Sequence, residues 1–340
     1  MERCLWLASL GAGSVAPNPM VGCVIVSGGR IIGEGFHREC GGPHAEVHAI
    51  GAVKNQELLR DSTLYVSLEP CTHFGKTPPC SDLIIEKGVP RVVVGLQDPF
   101  PAVAGKGIKK MTKAGIRVEV GILEKECREL NRRFLTFHEK KRPYIILKWA
   151  QTLDGFMDDE QHSSGVGHSN PVTGELANRM VHRQRACEGA VLVGTRTAWL
   201  DDPALTVREW SGTNPLRLVI DRKCSLPGSL KLFNSQADTV VFNEVKQLQS
   251  GNVSFEKLDF AKNVPLQIAE RLYERKVLSL VVEGGTETLS HFISQGLWDE
   301  AHIYTGSLLF CGGIKAPGIK GTKAASECLD DTLLTVLRKA

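Results

Sequence analysis

One histidine, one glutamate and two cysteines have spacings that suit a catalytic metal site. His44 and Glu46 begin a predicted helix, Cys71 follows the next predicted strand, and Cys80 begins another helix. One imidazole and two thiolates leave a fourth tetrahedral position for water, which is the arrangement of a catalytic zinc ion. Zinc lowers the pKa of bound water towards about 7. Glu46 can then take the water proton and pass it to a ring nitrogen and a departing amine.

The same residues have a second interpretation. They could be core side chains, or a closed zinc knot completed by Cys40, His48 or His73. A knot has no use for the Glu46 carboxylate beside an open ligand position, which favours the catalytic interpretation. Between the two thiolates, His73 and Lys76 are either solvated loop residues or a wall and phosphate contact for a substrate.

Bulk properties exclude several classes of protein. The chain has 340 residues, which predicts two domains of about 150 to 200 residues each. A net charge of +3, from 41 basic and 38 acidic residues, gives no reason to expect nucleic acid as partner. We expect a cytosolic protein, because no apolar stretch reaches about 18 residues and the N-terminus does not resemble a signal peptide. Its ten cysteines should then stay reduced.

The first half alternates short apolar runs with helical segments. Runs at 21–26 and 31–35 surround two glycines and predict a β-hairpin. Further strands are predicted at 63–67, 91–95 and 117–120, and helices at 45–52, 80–87 and 107–114. Strands separated by helices predict a mainly parallel sheet covered on both faces.

A charged helix at 124–138 runs into Glu139-Lys140-Lys141-Arg142-Pro143, which predicts a domain junction near Arg142. A second α/β series follows. Its strands are predicted at 144–149, 189–194, 216–221, 238–242 and 278–283, with a final edge strand at 301–304. The whole chain is therefore of the α/β class, with domains at 1–141 and 142–340.

Two segments of the second half could bind a ligand. At Glu283-Gly284-Gly285 a strand runs through a glycine turn into a helix start, where free backbone N–H groups can bind phosphate. A tight turn that binds no ligand would have the same sequence pattern. Residues 193–208 leave the sheet through a glycine into a short helix and a polar turn, where α/β proteins place ligand groups. Spacing alone does not identify a cofactor here.

His44-Ala45-Glu46 with Pro70-Cys71 resembles the cytidine-deaminase superfamily. The long insert before Cys80 and the segment Ala16-Pro17-Asn18-Pro19-Met20-Val21-Gly22 resemble the bifunctional riboflavin-biosynthesis deaminase/reductases, as do 148–155 and 193–208. The resemblance spans nearly the whole chain. It implies a cytidine-deaminase-like three-layer domain at 1–141 and a dihydrofolate-reductase-like domain at 142–340, with Zn²⁺ and NADPH as cofactors. The reactions implied are deamination of 2,5-diamino-6-ribosylamino-4(3H)-pyrimidinone 5′-phosphate and then reduction of its ribosyl group to ribityl.

The resemblance also implies roles for individual residues. His44, Cys71 and Cys80 would bind zinc, and Glu46 would be the catalytic proton shuttle. The cofactor contacts would be Ala150, Thr197, Asp201, Gly285, Thr286, Glu287, Thr288, Leu289, Ser290 and His291. The substrate contacts would be Asn18, Arg185, Leu205, Arg208 and Glu283. Taken alone, Asn18 could be a turn residue between prolines, and the two arginines could be solvated charges.

Two segments depart from the family pattern. Asp98-Pro99-Phe100-Pro101 stands where relatives usually have D-P-N-P, and the phenylalanine side chain offers no polar contact there. Residues 163–169 lack the tryptophan of the usual S-x-W-I-[ST], and the contacts of that motif are not transferred to this chain.

Two rival functions differ from this expectation. A nucleic-acid deaminase would need a basic groove and exposed aromatics, whereas only 6% of the residues are aromatic. An active deaminase whose C-terminal half is a binding or oligomerisation module would fit the missing tryptophan, and NADPH binding separates it from a reductase. The partner we expect is a small pyrimidine nucleotide, without nucleic acid or membrane. Homo-oligomer formation is left open.

Overall fold

A computed structural model describes residues 1–72, 78–100, 104–159 and 172–339. The chain divides into two compact units, Met1–Lys141 and Arg142–Ala340. Within the described ranges, no helix combines the length and apolar character needed to cross a membrane.

The N-terminal unit is built on one five-stranded sheet with the order β2-β1-β3-β4-β5. Its strands are β1 (Gly22–Ser27), β2 (Arg30–Phe36), β3 (Ser62–Leu68), β4 (Arg91–Leu96) and β5 (Arg117–Val120). Its helices are α1 (Glu2–Ser9), α2 (Ala45–Gly51), α3 (Cys80–Glu86), α4 (Lys106–Lys113), α5 (Glu124–Leu130) and α6 (Arg132–Lys140), with a 3-10 helix at Gln56–Asp61. The predicted hairpin is confirmed as β1 and β2, which pair antiparallel.

Helices cover both faces of this sheet. Residues of α2, α3 and α4 pack on one face around Ile25, Leu64 and Val92. Residues of α1, α5 and α6 pack on the other face, where Cys127 and Phe134 meet Leu68 and Leu96. The unit therefore has three layers, as the resemblance implied.

The expectation of a mainly parallel sheet is only half correct. β3, β4 and β5 are parallel, but β1 is antiparallel to both of its neighbours. The reason is the hairpin, because a tight turn can join only antiparallel strands.

The single helix predicted at 124–138 is also wrong. The structure has α5 and α6 there, with Asn131 between them at φ −98° and ψ 20°. The Asn131 side chain accepts the N–H of Met20 at 2.8 Å and donates to its carbonyl at 2.9 Å. The side-chain amide of Asn131 thus satisfies both backbone groups of Met20, as a neighbouring strand would. The helix is interrupted at the residue that makes this contact.

The C-terminal unit contains a ten-stranded sheet with the order β11-β12-β10-β9-β8-β13-β6-β14-β17-β16, and a two-stranded sheet of β7 and β15. The strands are β6 (Tyr144–Gln151), β7 (Phe156–Asp158), β8 (Ala190–Gly194), β9 (Leu216–Ile220), β10 (Thr239–Asn243), β11 (Leu248–Ser250), β12 (Val253–Lys257), β13 (Ser279–Val282), β14 (Glu300–Thr305), β15 (Ile314–Lys315), β16 (Thr322–Leu329) and β17 (Thr332–Arg338). The helices are α7 (Glu175–Cys187), α8 (Thr195–Asp201), α9 (Val264–Glu274) and α10 (Thr286–Ser294), with a 3-10 helix at Lys231–Phe233.

Side chains alternate between two cores across the central strands. Ile145, Leu147 and Leu280 face α9 and α10 on one side. Ile146 and Val281 face α8 and the 3-10 helix on the other. Continuous apolar runs of this kind are typical of strands buried on both faces.

A strand does form at the predicted residues 301–304, but the prediction that it lies at the edge of the sheet is wrong. β14 lies inside the sheet, between β6 and β17, because a C-terminal hairpin of β16 and β17 continues the sheet beyond it. Seven of the eight residues of β16 are exposed. The segment therefore has no apolar alternation from which a strand could have been predicted.

Candidate active sites in the two units

His44, Cys71 and Cys80 converge at one end of the N-terminal sheet. The His44 Nδ1 atom lies 3.5 Å from the Cys71 sulfur and 3.3 Å from the Cys80 sulfur, and all three ligand atoms lie within 4.8 Å of one another. A tetrahedral zinc ion, with Zn–S of about 2.3 Å and Zn–N of about 2.0 Å, places nitrogen and sulfur about 3.5 Å apart. The donor set and its spacing therefore fit zinc.

Local structure explains why these three residues meet. His44 is the N-cap residue of α2, Cys71 follows β3, and Cys80 is the first residue of α3. The backbone N–H of Cys80 donates to the Cys71 sulfur at 3.4 Å. Hydrogen bonds from Cys80 and His44 lower the pKa of the Cys71 thiol, and the same contact raises that of Cys80. A zinc ion would hold both sulfurs as thiolates.

Glu46 stands in the first turn of α2 and is 3% exposed. Burial raises the pKa of its carboxyl, while the neighbouring His44 acts in the opposite sense. A raised pKa brings the carboxyl closer to the range in which it can both take up and release a proton near neutral pH.

Two glycines of β2 let α2 approach the sheet closely. A Cβ at Gly33 would lie 2.3 Å from the Ala49 carbonyl oxygen, and one at Gly35 would lie 2.5 Å from the His48 Cβ. The helix that begins after His44 and contains Glu46 therefore contacts the backbone of β2 directly. The absence of side chains at these two glycines sets the distance between α2 and the sheet.

Asn18 is held by a histidine for which the sequence analysis had no role. The Nδ2 atom of Asn18 lies 3.1 Å from Nε2 of His37, whose Nδ1 lies 3.0 Å from the Pro43 carbonyl oxygen. Because a carbonyl only accepts, Nδ1 carries the proton and Nε2 accepts from the Asn18 amide. The ring of His37 also meets that of His44 edge to face at 5.4 Å.

Glu69 is a second residue that was missed. This buried carboxylate precedes Pro70 and Cys71, and it accepts backbone N–H groups from Asp98, Gly105, Gly107 and Ile108 at 2.9 to 3.3 Å. It thus ties the segment after β4 and the start of α4 to the loop that carries Cys71. A glutamate between a strand and Pro-Cys was the available signal.

Phe100, which stands where relatives usually have asparagine, makes an aromatic contact. The ring of Phe100 packs on His138 at 5.1 Å, and the Phe100 N–H donates to Asp98 at 2.8 Å. Burial raises the pKa of the Asp98 carboxyl to about 6. The Phe100 side chain is thus engaged in an aromatic contact. His73 and Lys76, for which two interpretations were open, and the departure at 163–169 lie outside the described residues.

The C-terminal unit brings a buried charged cluster to the ends of β6 and β13. Arg185 donates to both oxygens of Glu283, at 2.9 and 2.7 Å, and Lys148 lies 3.9 Å from the same carboxylate. The side chains of Arg185 and Glu283 are 10% and 9% exposed. Burial would raise the pKa of Glu283, but Arg185 and Lys148 outweigh it and lower that pKa to about 2.

Lys148 was not predicted as a site residue. Its signal was a single charge inside the apolar strand β6. Burial lowers the pKa of its ammonium group, Glu283 opposes this, and the group lies 5.5 Å from the centre of the Tyr304 ring.

The other predicted substrate residues lie next to this cluster. Arg185 also donates to the Thr206 carbonyl at 3.5 Å, and Arg208 donates to the Thr206 hydroxyl at 3.4 Å. Leu205 is buried, and its backbone has a positive φ of 51° immediately before Thr206. Arg185 is thus a buried ion-pair residue, whereas Arg208 is exposed.

The C-terminal unit also has a cavity of about 1320 Å³, lined by residues from the starts of α8 and α10. Among the predicted cofactor residues, Thr197, Gly285, Thr286, Glu287, Thr288 and His291 line it. The Gly285 N–H donates to the Thr197 hydroxyl at 3.0 Å, which joins the starts of α8 and α10. Ala150, Asp201, Leu289 and Ser290 are outside the lining. The Leu289 side chain belongs to the core, so only its backbone could face a ligand.

Comparisons with known proteins match the two parts of the chain to different family models. Residues 1–96 match the family model described as cytidine and deoxycytidylate deaminase zinc-binding region, and residues 143–335 match the RibD C-terminal domain. The riboflavin biosynthesis protein RibD of Aquifex aeolicus (strain VF5) is 40% identical over 334 residues, which is 97% of this chain and 92% of the relative. The RibD protein of Escherichia coli (strain K12) is 36% identical and covers 96% of this chain and 89% of its own.

Solved structures are similar over the full length. A diaminohydroxyphosphoribosylaminopyrimidine deaminase/5-amino-6-(5-phosphoribosylamino)uracil reductase from Thermotoga maritima has a TM-score of 0.89 at 39% identity, covering 100% of this chain and 97% of that one. Acinetobacter baumannii RibD, form 1, has a TM-score of 0.90 at 33% identity with the same coverage.

The fold and these matches define a bifunctional enzyme, in which a zinc-dependent deaminase unit is joined to an NADPH-dependent reductase unit. The chain belongs to the RibD family of riboflavin biosynthesis proteins. The predictions of family, fold class, activity and cofactors are confirmed. The rival in which the C-terminal half is only a binding module is not favoured.

Proposed function

We propose that the N-terminal unit deaminates 2,5-diamino-6-ribosylamino-4(3H)-pyrimidinone 5′-phosphate and that the C-terminal unit then reduces the ribosyl group to ribityl. The observation that carries the proposal is the convergence of the His44, Cys71 and Cys80 ligand atoms within 4.8 Å. A zinc ion held there supplies a water molecule of lowered pKa.

In the deamination, Glu46 takes the proton of the attacking water and delivers it to the ring nitrogen and the leaving amine. Its burial and raised pKa suit both steps. His37 orients the Asn18 amide: because Nε2 of His37 accepts from Nδ2, the Oδ1 atom of Asn18 is left to accept from the pyrimidine.

In the reduction, NADPH supplies the hydride and the protein aligns the opened sugar against it. Arg185 and Arg208 contact the substrate, together with Leu205 and Glu283. Lys148 is a buried ammonium group of lowered pKa beside them. When hydride adds to C1′ of the opened ribosylamino group, the electron pair of the C1′=N bond moves to nitrogen, and Lys148 donates the proton to that nitrogen.

Thr197 and the segment from Gly285 to His291 would hold NADPH in the cavity, with Ala150 and Asp201 as further contacts. The N–H groups at the start of α10 would bind its phosphates. The cytosolic location and the absence of nucleic-acid and membrane partners stay predictions.

The test follows ammonia and NADPH in one reaction. Purified full-length protein is incubated with the diaminopyrimidine phosphate, with and without NADPH. We expect ammonia in both samples and NADPH oxidation only after deamination, in a ratio of about one to one. Oxidation of NADPH at full rate by a Cys80→Ser protein that releases no ammonia, given the same starting substrate, would contradict the proposed order.

A further inference from the structure

Residues 203–208, here called the substrate loop, carry Leu205 and Arg208 of the proposed substrate site. The loop follows α8 and lies outside helices and strands. Within the described part of the chain, its backbone forms no hydrogen bond to another backbone group. The positions of the two substrate residues therefore depend on side chains from elsewhere in the unit, which must satisfy the backbone groups of the loop.

Four side chains hold the backbone of the substrate loop. They are Arg217 on the Ala204 carbonyl at 3.5 Å, Arg185 on the Thr206 carbonyl at 3.5 Å, Asn214 on the Val207 N–H at 2.8 Å and His182 on the Arg208 N–H at 3.2 Å. Of these side-chain types, only histidine ordinarily changes its protonation between about pH 5 and 8. The contact at Arg208 is therefore the one that pH can break.

His182 lies on α7 and is 5% exposed. Its Nδ1 atom accepts the backbone N–H of Arg208. Because a backbone N–H only donates, Nδ1 is the unprotonated ring nitrogen and Nε2 carries the proton. The Nε2 atom lies 4.0 Å from the Glu209 carboxylate. The contact with Arg208 thus requires the neutral ring, in one tautomer.

The helix α7 contacts the substrate loop at two points on one face. Arg185 follows His182 by three residues, so the two side chains are neighbours on the helix surface. Arg185 holds the Thr206 carbonyl and is itself fixed by both oxygens of Glu283. Because His182 holds the N–H two residues further along the loop, Arg208 has a fixed position relative to Arg185.

The Arg208 side chain is exposed, and its Nη1 donates to the Thr206 hydroxyl at 3.4 Å. Among the described residues, no carboxylate forms an ion pair with its guanidinium. The remaining N–H groups of this guanidinium are therefore available to an anionic group of a substrate, for which their fixed fork is suited.

Four charged groups face His182. Arg185 on α7 and Arg208 on the loop are positive, whereas Glu209 and Glu283, which follows β13, are negative. Burial lowers the pKa of His182, the two arginines lower it further, and Glu209 opposes them. The ring is therefore neutral at pH about 7 and becomes protonated only below its ordinary pKa of about 6.5.

We propose that His182 is a positioning residue of the reductase unit: its neutral ring holds Arg208 against the phosphate monoester of the substrate, and protonation of the ring releases this contact. The inference rests on the proposed reductase function. A protonated Nδ1 would point an N–H at that of Arg208 and add a positive charge beside two arginines. Substrate binding should then weaken as the pH falls.

The test measures the KM of the full-length enzyme for the deaminated intermediate, supplied directly with saturating NADPH. His182→Asn keeps an acceptor, because Oδ1 of asparagine is as many bonds from Cα as Nδ1 of histidine, but it does not titrate. His182→Leu removes the acceptor. At pH about 8 we expect a KM near that of wild type for His182→Asn. For His182→Leu it should be about 10-fold higher, the scale of a buried N–H left without a partner.

The kcat and the dissociation constant of NADPH should change less than about two-fold in both variants. The pH profile then separates titration of the ring from its packing. The substrate phosphate also protonates near pH 6, at about the same pH for every variant. Between pH about 8 and 5, the KM should therefore rise more for wild type than for His182→Asn. Asn214→Ala is the matched control, because it frees the neighbouring Val207 N–H but keeps His182, and it should keep the wild-type pH response.

A wild-type KM in His182→Leu would overturn the inference. So would a KM in His182→Asn as high as that of a folded His182→Leu protein, since the acceptor would then be irrelevant. Equal pH responses of wild type and His182→Asn would also overturn it, and this comparison holds even if His182→Leu fails to fold. A wild-type protein that cannot reduce the supplied intermediate would instead overturn the reductase function, and the inference with it.

Discussion

The carboxylate of Glu69 accepts the backbone N–H of Gly107 at 2.9 Å, and a Cβ on Gly107 would lie only 2.2 Å from the carbonyl oxygen of Pro70. Pro70 is followed by the zinc ligand Cys71. The first turn of α4 therefore rests directly on the backbone of the ligand loop, and Glu69 holds the two together. The contact is between backbones, so no side-chain rotation can relieve it.

Gly107→Ala is therefore expected to weaken the zinc site. The added methyl must displace the Pro70 carbonyl, and overpacking of this kind costs about 1 to 3 kcal/mol. We expect lower zinc content after dialysis and slower ammonia release, with NADPH binding unchanged. Gly51→Ala is the control, because nothing lies within 4 Å of its added Cβ. Full zinc content in the Gly107→Ala protein would show that the loop yields without consequence.

Zinc binding and proton transfer should separate by mutation. Cys71→Ser and Cys80→Ser should each lose stoichiometric zinc and ammonia release together, since each removes one of three ligands. Glu46→Gln should keep its zinc and lose about 10²-fold or more in deamination, the usual scale for a positioned acid or base. Metal analysis and ammonia assays on the three proteins decide this. Nearly intact deamination in Glu46→Gln would assign the proton transfer elsewhere.

Loss of the Glu283 carboxylate should destabilise the reductase unit strongly. Glu283→Gln leaves Arg185 and Lys148 as neighbouring buried cations, and breaking a buried pair in this way costs about 3 to 5 kcal/mol. Reduction should fail while ammonia release persists. Glu175→Gln is the control, because Glu175 pairs with Arg179 at the surface, where the loss is below about 1 kcal/mol. Similar denaturation midpoints for the two variants would contradict the burial argument.

The same carboxylate predicts a pH dependence. The pKa of Glu283 in the folded protein is about 2, below its ordinary value of 4.5. The folded state therefore favours the ionised form, and the resulting stability is complete above pH of about 4.5 and is lost as the pH falls towards about 2. The free energy of unfolding should thus differ between wild type and Glu283→Gln at pH about 6, and the difference should shrink below pH of about 4.5. A difference that grows as the pH falls would refute the assignment.

A fragment that begins at Lys141 should fold and bind NADPH by itself. About 200 residues suffice for a core, and Arg142 pairs with Asp299 of the same unit at 2.6 and 2.8 Å. A fragment that begins at Tyr144 lacks that buried pair and should melt at a lower temperature. Circular dichroism and NADPH titration of both fragments give the comparison. Failure of the longer fragment to fold would mean that the reductase unit depends on the deaminase unit.

The sequence alone determined those features that depend on neighbouring residues. The hairpin around Gly28 and Gly29, the strand that precedes Cys71, and the helix that begins after His44 are all local features. Turn chemistry and apolar periodicity, which predict them, act over a few positions. The spacing of the metal ligands along the sequence could be recognised for the same reason. Where a distant contact intervened, as Met20 does at Asn131, the local prediction of one long helix failed.

Only the tertiary structure decided which distant residues meet. Arg185 and Glu283 are separated by 98 residues, and they pair because β13 lies beside β6 and β8 in the sheet. The strand order also places Lys148 in that cluster. Nothing in the local letters encodes this order, because it follows from how whole faces of helices and strands pack into common cores.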